Sequence, residues 1–306
     1  MGETILRPLA MAAAVLVGVA GCGAPSAAQS PKLMDWPDLL SRPMPKASEK
    51  IAYGPGAQQF GELWLPTTPG RHPVVLMVHG GCWRASIANL SIMNYAAEDL
   101  RQRGMVVWNI EYRGVDQPGG GYPGTYQDVA AAADALRGVA RTHHLDIGKV
   151  VAVGHSAGGH LAAWLAARPK LPANSPLGSA DPLPIAAVLN VGGLPDLKAD
   201  KAATENACGP KVIDLIAGPP SAARPDPYAD TSPAEMLPLG VRQAMVNGQQ
   251  DPIAPPWLGK LYADRVTGSG DTMDSVVMPD TGHAELIAPG TAAWSREVEL
   301  IEALAR

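Results

Sequence analysis

The residues best placed to do chemistry lie in Gly154-His155-Ser156-Ala157-Gly158. An apolar run, Val150–Val153, precedes them, and a helix-forming run, Leu161–Arg168, follows. A chain that turns this sharply from strand to helix forces Ser156 into strained backbone space, so residues without side chains are needed on both sides. Gly154 and Gly158 meet that need. The turn holds the hydroxyl out at the end of the strand, where the first amides of the helix favour negative charge. The chemistry prepared is nucleophilic attack by a serine, with an oxyanion forming beside a helix N-terminus.

A serine is a weak nucleophile until a base takes its proton. Of the seven histidines, His72, His143 and His144 precede strands and belong to the opposite edge of a sheet. His155 is fixed beside the serine and points elsewhere; His160 lies in the first turn of the helix. His283, in Pro279-Asp280-Thr281-Gly282-His283, follows a late strand on a loop free to reach Ser156, and is the expected base. An acid must hold its tautomer and stabilise the imidazolium. Asp251, in a turn between a strand and a helix, is expected to do so. Asp280 is the alternative, although a residue so near in sequence more often solvates its own loop.

His79-Gly80-Gly81-Cys82-Trp83 follows another apolar run, Pro73–His79. Glycines there let backbone amides approach a substrate closely. The amides of Gly81 or Cys82 and of Ala157 are the expected oxyanion donors, and His79 is expected to position the loop. Trp83 and Tyr122, on loops at the same edge, are expected in a substrate wall; the other reading is that they pack their own loops.

These residues need a frame. Ile51–Tyr53 and Phe60–Leu65 read as antiparallel edge strands around a Gly-Pro-Gly turn. Strands then alternate with helices over 73–79, 89–103, 105–110, 125–142, 150–153, 161–168, 184–191, 243–246, 256–266, 275–278 and 292–304. Thr125 and Asp128 have the spacing of a capping box. The rhythm implies an α/β protein whose mostly parallel sheet carries helices on both faces. Residues 194–239, rich in Pro and Ala, break it and read as a small lid-like excursion over the carboxyl edge, where ligands of such sheets bind.

The strand, G-x-S-x-G and helix, with His79-Gly80-Gly81-Cys82-Trp83, Tyr112-Arg113 and the Gly119–Gly124 loop, resemble the α/β-hydrolases of the esterase and lipase type. The HGGxW esterases are the nearest branches, including arylformamidase-like and feruloyl-esterase-like enzymes, with prolyl-oligopeptidase-like catalytic domains. The resemblance runs from about Tyr53 to the C-terminus. It implies the α/β-hydrolase fold and a serine hydrolase with neither metal nor cofactor. The chain order Ser156, Asp251, His283 is the order of that fold. The expected reaction is cleavage of a small carboxylic ester through an acyl-enzyme. Amide hydrolysis on the same triad is the alternative, and a binding protein on a hydrolase scaffold is a minor one. Cys82 stands where hormone-sensitive-lipase-type sequences carry a third glycine, a departure from that branch.

The chain has 306 residues, a formal net charge of −5 and no basic run, which argues against nucleic-acid binding. Residues 1–22 read as a signal peptide: the apolar stretch from about Leu9 to Val19 is too short to span a bilayer. It ends in Val19-Ala20-Gly21-Cys22, which resembles a bacterial lipobox, so Cys22 is the expected lipidation site. The expected location is the bacterial cell envelope, on a membrane through the lipid anchor, or secreted otherwise. Residues 23–48 read as an Ala/Ser/Pro-rich tether and 49–306 as the catalytic domain. With Cys22 lipidated, Cys82 and Cys208 remain as an even pair in an exported protein, expected to form a disulfide between excursion and oxyanion loop.

Overall fold

Four mostly apolar runs become β3 (Val74–Val78), β4 (Val106–Ile110), β5 (Val150–His155) and β6 (Ala187–Val191), each buried along its whole length. Strands buried on both faces carry no polar alternation, and these sequences have none to offer solvent. With β1 (Glu49–Ala52), β2 (Phe60–Trp64), β7 (Arg242–Gly248) and β8 (Met273–Met278) they form an eight-stranded sheet in the order β1-β2-β4-β3-β5-β6-β7-β8. The first two strands are antiparallel and the rest parallel, as the sequence rhythm implied. This computed structural model describes residues 1–2 and 32–306. The signal peptide, Cys22 and the first part of the tether therefore lie outside the described residues, among which no helix is long and apolar enough to cross a membrane.

One sheet face packs against α2 (Asn94–Gln102) and α8 (Ala292–Ala305), the other against α3 (Gly124–His143), α4 (Ala157–Ala167) and α7 (Pro256–Gly268). The register sets Val78 opposite Gly154 and Gly154 opposite Asn190, so β3, β5 and β6 end level. The loops that follow them consequently share one edge.

Three local expectations are corrected. Helix α3 starts at Gly124 without a side-chain cap. Thr125 Oγ1 instead donates to the Arg113 carbonyl, and Asp128 accepts a two-pronged bond from the Arg113 guanidinium at 2.7 Å. The 23–48 tether ends early, because Lys32–Arg306 forms one compact unit. Asp35 and Asp38 make a reciprocal capping box that starts α1 (Trp36–Leu40), with Pro37 in its first turn, and Leu39 is fully buried. Finally, 194–239 folds into α5 (Lys201–Cys208), α6 (Val212–Ala217) and ordered loops that pack against α4. The reason is visible in α4 itself, apolar on every side and buried at all eleven positions. A helix apolar all round needs a second cover away from the sheet, and the excursion supplies it: Trp164 Nε1 donates to the Asp230 carbonyl at 2.9 Å.

Candidate active site

Ser156 stands between β5 and α4 with φ 54° and ψ −122°, the strained backbone its flanking glycines foretold. The glycines have a second reason. A Cβ on Gly158 would come within 2.1 Å of the Val78 carbonyl oxygen, and one on Gly154 within 2.1 Å of the Gly158 carbonyl oxygen. The turn is wedged against the end of β3, so no side chain fits on either flank.

His283 Nδ1 lies 2.6 Å from Asp251 Oδ2, and both residues are buried. The other Asp251 oxygen, Oδ1, accepts the amides of Ile253 and Ala254 at 2.8 and 2.9 Å, which fixes the carboxylate in its turn. A carboxylate held this way accepts a hydrogen bond from the Nδ1–H and leaves Nε2 as the basic nitrogen. Asp280 is exposed, in a turn of positive φ, and the histidine pairs with Asp251 instead. His283 and Ser156 line one pocket of about 210 Å³, together with Gly81, Cys82, His155 and Trp36. No hydrogen bond joins Ser156 Oγ to His283 in this state; catalytic bonds of this kind commonly tighten only around substrate.

His155 does not point away from the site, as the sequence reading had it. Its Nε2 faces the His283 carbonyl at 3.2 Å, and its ring lies 4.4 Å from the His283 ring. Burial, and next the nearby His283, push its imidazole well below the ordinary range, so it is neutral and donates to that carbonyl. Gly192, at positive φ after β6, is a second residue the sequence reading missed: a Cβ there would lie 3.3 Å from Asp251 Oδ2 and 3.4 Å from His283 Nδ1. Neither had a signal beyond its place after a predicted strand.

The oxyanion loop runs through three residues of positive φ, Gly81 (103°), Cys82 (56°) and Trp83 (54°). The amides of Gly81, Cys82 and Ala157 make no hydrogen bond to other described residues, which leaves them free to act as donors. The strained path is held from several sides. At its start, His79 Nδ1 faces the Gly80 carbonyl at 2.7 Å and Nε2 faces Glu111 Oε1 at 2.8 Å. Burial would raise the Glu111 carboxyl, but the His79 charge and bond and the amides of Leu90 and Tyr112 outweigh it and hold the carboxyl low. Cys82 is joined to Cys208 at the end of α5, with Cα atoms 5.4 Å apart.

Trp83 and Tyr122 do not line the pocket. Trp83 is fully buried beneath the loop and donates its indole N–H to His160 Nδ1 at 3.2 Å. Tyr122 lies under the Arg224 guanidinium, 3.9 Å from its ring centre. Nor does any residue of 194–239 line it; the remaining wall comes from Ile87, Ala88, Ile92 and Ile253 and from α1, whose Trp36 packs edge-on against His155 and His283 with ring centres 6.0 and 6.2 Å apart. Among the described residues no cluster of His, Cys, Asp and Glu could hold a metal ion.

His160 ties the two sides of α4 together. Its Nδ1 accepts from Trp83, so the proton is on Nε2, which donates to the Thr231 carbonyl at 2.7 Å. Burial outweighs that bond and lowers the imidazole from 6.5 to about 4. The folded state thus takes up this proton later than the unfolded chain as pH falls. The stabilisation is complete above about pH 6.5 and is lost as pH drops through about 4, amounting to roughly 3 kcal/mol. Thermal melts between pH 7 and 4 should show the melting temperature of His160→Gln falling less steeply than that of the parent; parallel curves would refute this assignment.

A family model described as BD-FAE matches residues 62–264, more than half of the chain. The chain belongs to the BD-FAE family. No curated protein matches the sequence significantly. Several solved structures resemble this BD-FAE protein. Esterase B from Lactobacillus rhamnosis is 20% identical with a TM-score of 0.69, over 84% of this chain and 85% of that one. Esterase 2 from Thermogutta terrifontis, in a form phosphonylated by sarin, is 19% identical with a TM-score of 0.69, over 88% and 96%. A truncated carbohydrate esterase from gut microbiota is 17% identical with a TM-score of 0.69, over 84% and 95%. At these identities the likeness is one of fold. The fold they share with this chain is the α/β-hydrolase fold. The BD-FAE match includes Ser156, Asp251 and the oxyanion loop; it begins after Trp36 and ends before His283.

Proposed function

We propose that this protein cleaves small carboxylic esters through an acyl-enzyme formed on Ser156. The observation that carries this reading is the Asp251–His283 pair, 2.6 Å apart, on one pocket wall with Ser156. Ser156 Oγ attacks the acyl carbon while His283 Nε2 takes its proton. The carbonyl oxygen becomes an oxyanion facing the amides of Ala157 and of Gly81 or Cys82. His283 then gives the proton to the leaving alkoxide, and the alcohol departs. Water, deprotonated by His283, attacks the acyl-enzyme and regenerates Ser156. Asp251 keeps the imidazole in one tautomer and offsets its charge throughout. The Thermogutta terrifontis esterase, a fold relative, is described as phosphonylated by sarin, which supports a serine of this kind.

A panel of alkyl and nitrophenyl esters, anilides and a formyl-amide tests the assignment. Esters should be turned over at least tenfold faster than amides of the same acyl group. An enzyme that prefers the amides would be an amidase on the same triad.

We also propose that the protein is exported and anchored by lipid at Cys22. The Cys82–Cys208 disulfide supports an oxidising compartment. Cys22→Ser should move the protein from the membrane to the soluble fraction with full esterase activity. Unchanged fractionation, with no lipid mass on the N-terminal peptide, would refute the anchor.

A further inference from the structure

One side of the pocket wall, Trp36 and Leu40, comes from a part of the chain that neither the family match nor the catalytic loops include. Helix α1 is five residues long, yet it is tied down at both ends. Before it, the Met34 amide donates to the Glu285 carboxylate, on the loop just after His283. Behind it, Arg42 donates to the Pro289 carbonyl at 2.8 Å, and the Tyr95 hydroxyl of α2 donates to the Arg42 carbonyl at 3.1 Å. Leu39 is buried against the core on the α2 side. These ties seat Trp36 edge-on to both pocket histidines, and Leu40 beside it at the rim. Apart from Ser156 and the histidines, the pocket is lined by apolar side chains and backbone, with no carboxylate, ammonium or guanidinium.

Resting on the triad reading above, we propose that Trp36 is a specificity-determining residue, the wall against which the leaving alcohol of the ester packs, and that the enzyme takes esters whose alcohol portion is uncharged and apolar. The direction follows from the proton path. His283 must reach the leaving oxygen, so the alcohol departs along the His283 side of the site, where the Trp36 ring lies edge-on to His283. A wall of aromatic and aliphatic carbon gains from each methylene it buries and offers a charged group no partner. Trp36 is only half-buried, so its loss does not empty the core.

The test holds the acyl group constant. kcat/KM is measured for methyl, butyl and hexyl acetate, and separately for ethyl acetate against ethyl butyrate, with the parent, Trp36→Ala, Trp36→Leu and Trp36→Phe. A single methylene in an apolar pocket changes specificity about 10- to 200-fold at most. Trp36→Ala should therefore lower the hexyl-to-methyl ratio by about tenfold or more. Trp36→Leu should fall between, and Trp36→Phe should stay within about threefold of the parent. The ethyl butyrate-to-acetate ratio should move by less than about twofold in every variant. An unchanged alcohol ratio, or an acyl ratio that moves instead, overturns the proposal. Should Trp36→Ala not fold, Trp36→Leu decides alone on the same criteria. Each protein is also titrated with a fluorophosphonate. A parent that takes up none would count against the triad reading, whereas full labelling with flat alcohol ratios would count against Trp36 alone.

Discussion

Ser156→Ala is expected to fold like the parent and to lose about 10⁴–10⁶ of kcat on its best ester. The hydroxyl oxygen is the atom that bonds to the acyl carbon, and nothing else in the pocket replaces it. His155, its nearest neighbour, is neutral but spends its proton on the His283 carbonyl and is buried at 1% exposure. The Ala variant has one methyl where a strained serine stood, so its melting temperature should stay within a few degrees of the parent's. His283→Ala should lose a similar amount, since nucleophile and base act as a unit. Asp251→Asn should lose less, about 10⁴, because the acid works through orientation and charge. Asp280→Asn should stay near parental activity. Steady-state kinetics on all four variants checks the order; a more damaging change at Asp280 than at Asp251 would contradict it.

The second large effect is expected from the Cys82–Cys208 disulfide. Its cysteines are 126 positions apart. Loop-closure entropy over that length gives a stabilisation of roughly 5 kcal/mol as an upper figure, with measured gains often smaller. Its position gives it a second consequence. Cys82 is the middle residue of three at positive φ, and non-glycine residues hold such a backbone only where surroundings impose it. Trp83 is held by His160, but Cys82 is held through its sulfur. Cys208→Ala should therefore lower stability by a few kcal/mol and reduce kcat by about 10- to 100-fold, with a smaller change in KM. The upper end approaches the loss of one oxyanion donor. Denaturant melts and kinetics well below the variant's melting point separate the two effects. A destabilised variant with parental kcat would show that the loop keeps its path without the disulfide.

The parts of this fold that follow from local pattern were legible in the sequence. Four mostly apolar runs marked the central strands, and glycines at 154 and 158 marked a turn that a side chain would block. The Asp251–His283 meeting was reached by placing loops on the same sheet edge, without any contact between them in sequence. What pattern could not give was which long segments cover which face. Residues 194–239 read as a lid because they lack periodicity; their place was decided by α4, whose uniformly apolar sequence demanded a second cover. Trp36 was lost in a stretch read as a tether, although Leu33-Met34-Asp35-Trp36-Pro37-Asp38-Leu39-Leu40 carries both a capping box and a buried leucine. Trp83 and Tyr122 were placed by their loops alone, and an indole N–H with a histidine acceptor beneath the loop turned Trp83 inward.

If Ser156 is the nucleophile and His283 its base, a covalent adduct on the serine reports both roles at once. The protein is incubated with a fluorophosphonate, and the modified peptide is mapped by mass spectrometry while residual esterase activity is followed. One adduct per chain, on the peptide carrying Ser156, should form in step with loss of activity, and His283→Ala should label far more slowly. An adduct on another residue, or full inactivation with Ser156 unmodified, would mean that Ser156 is not the nucleophile.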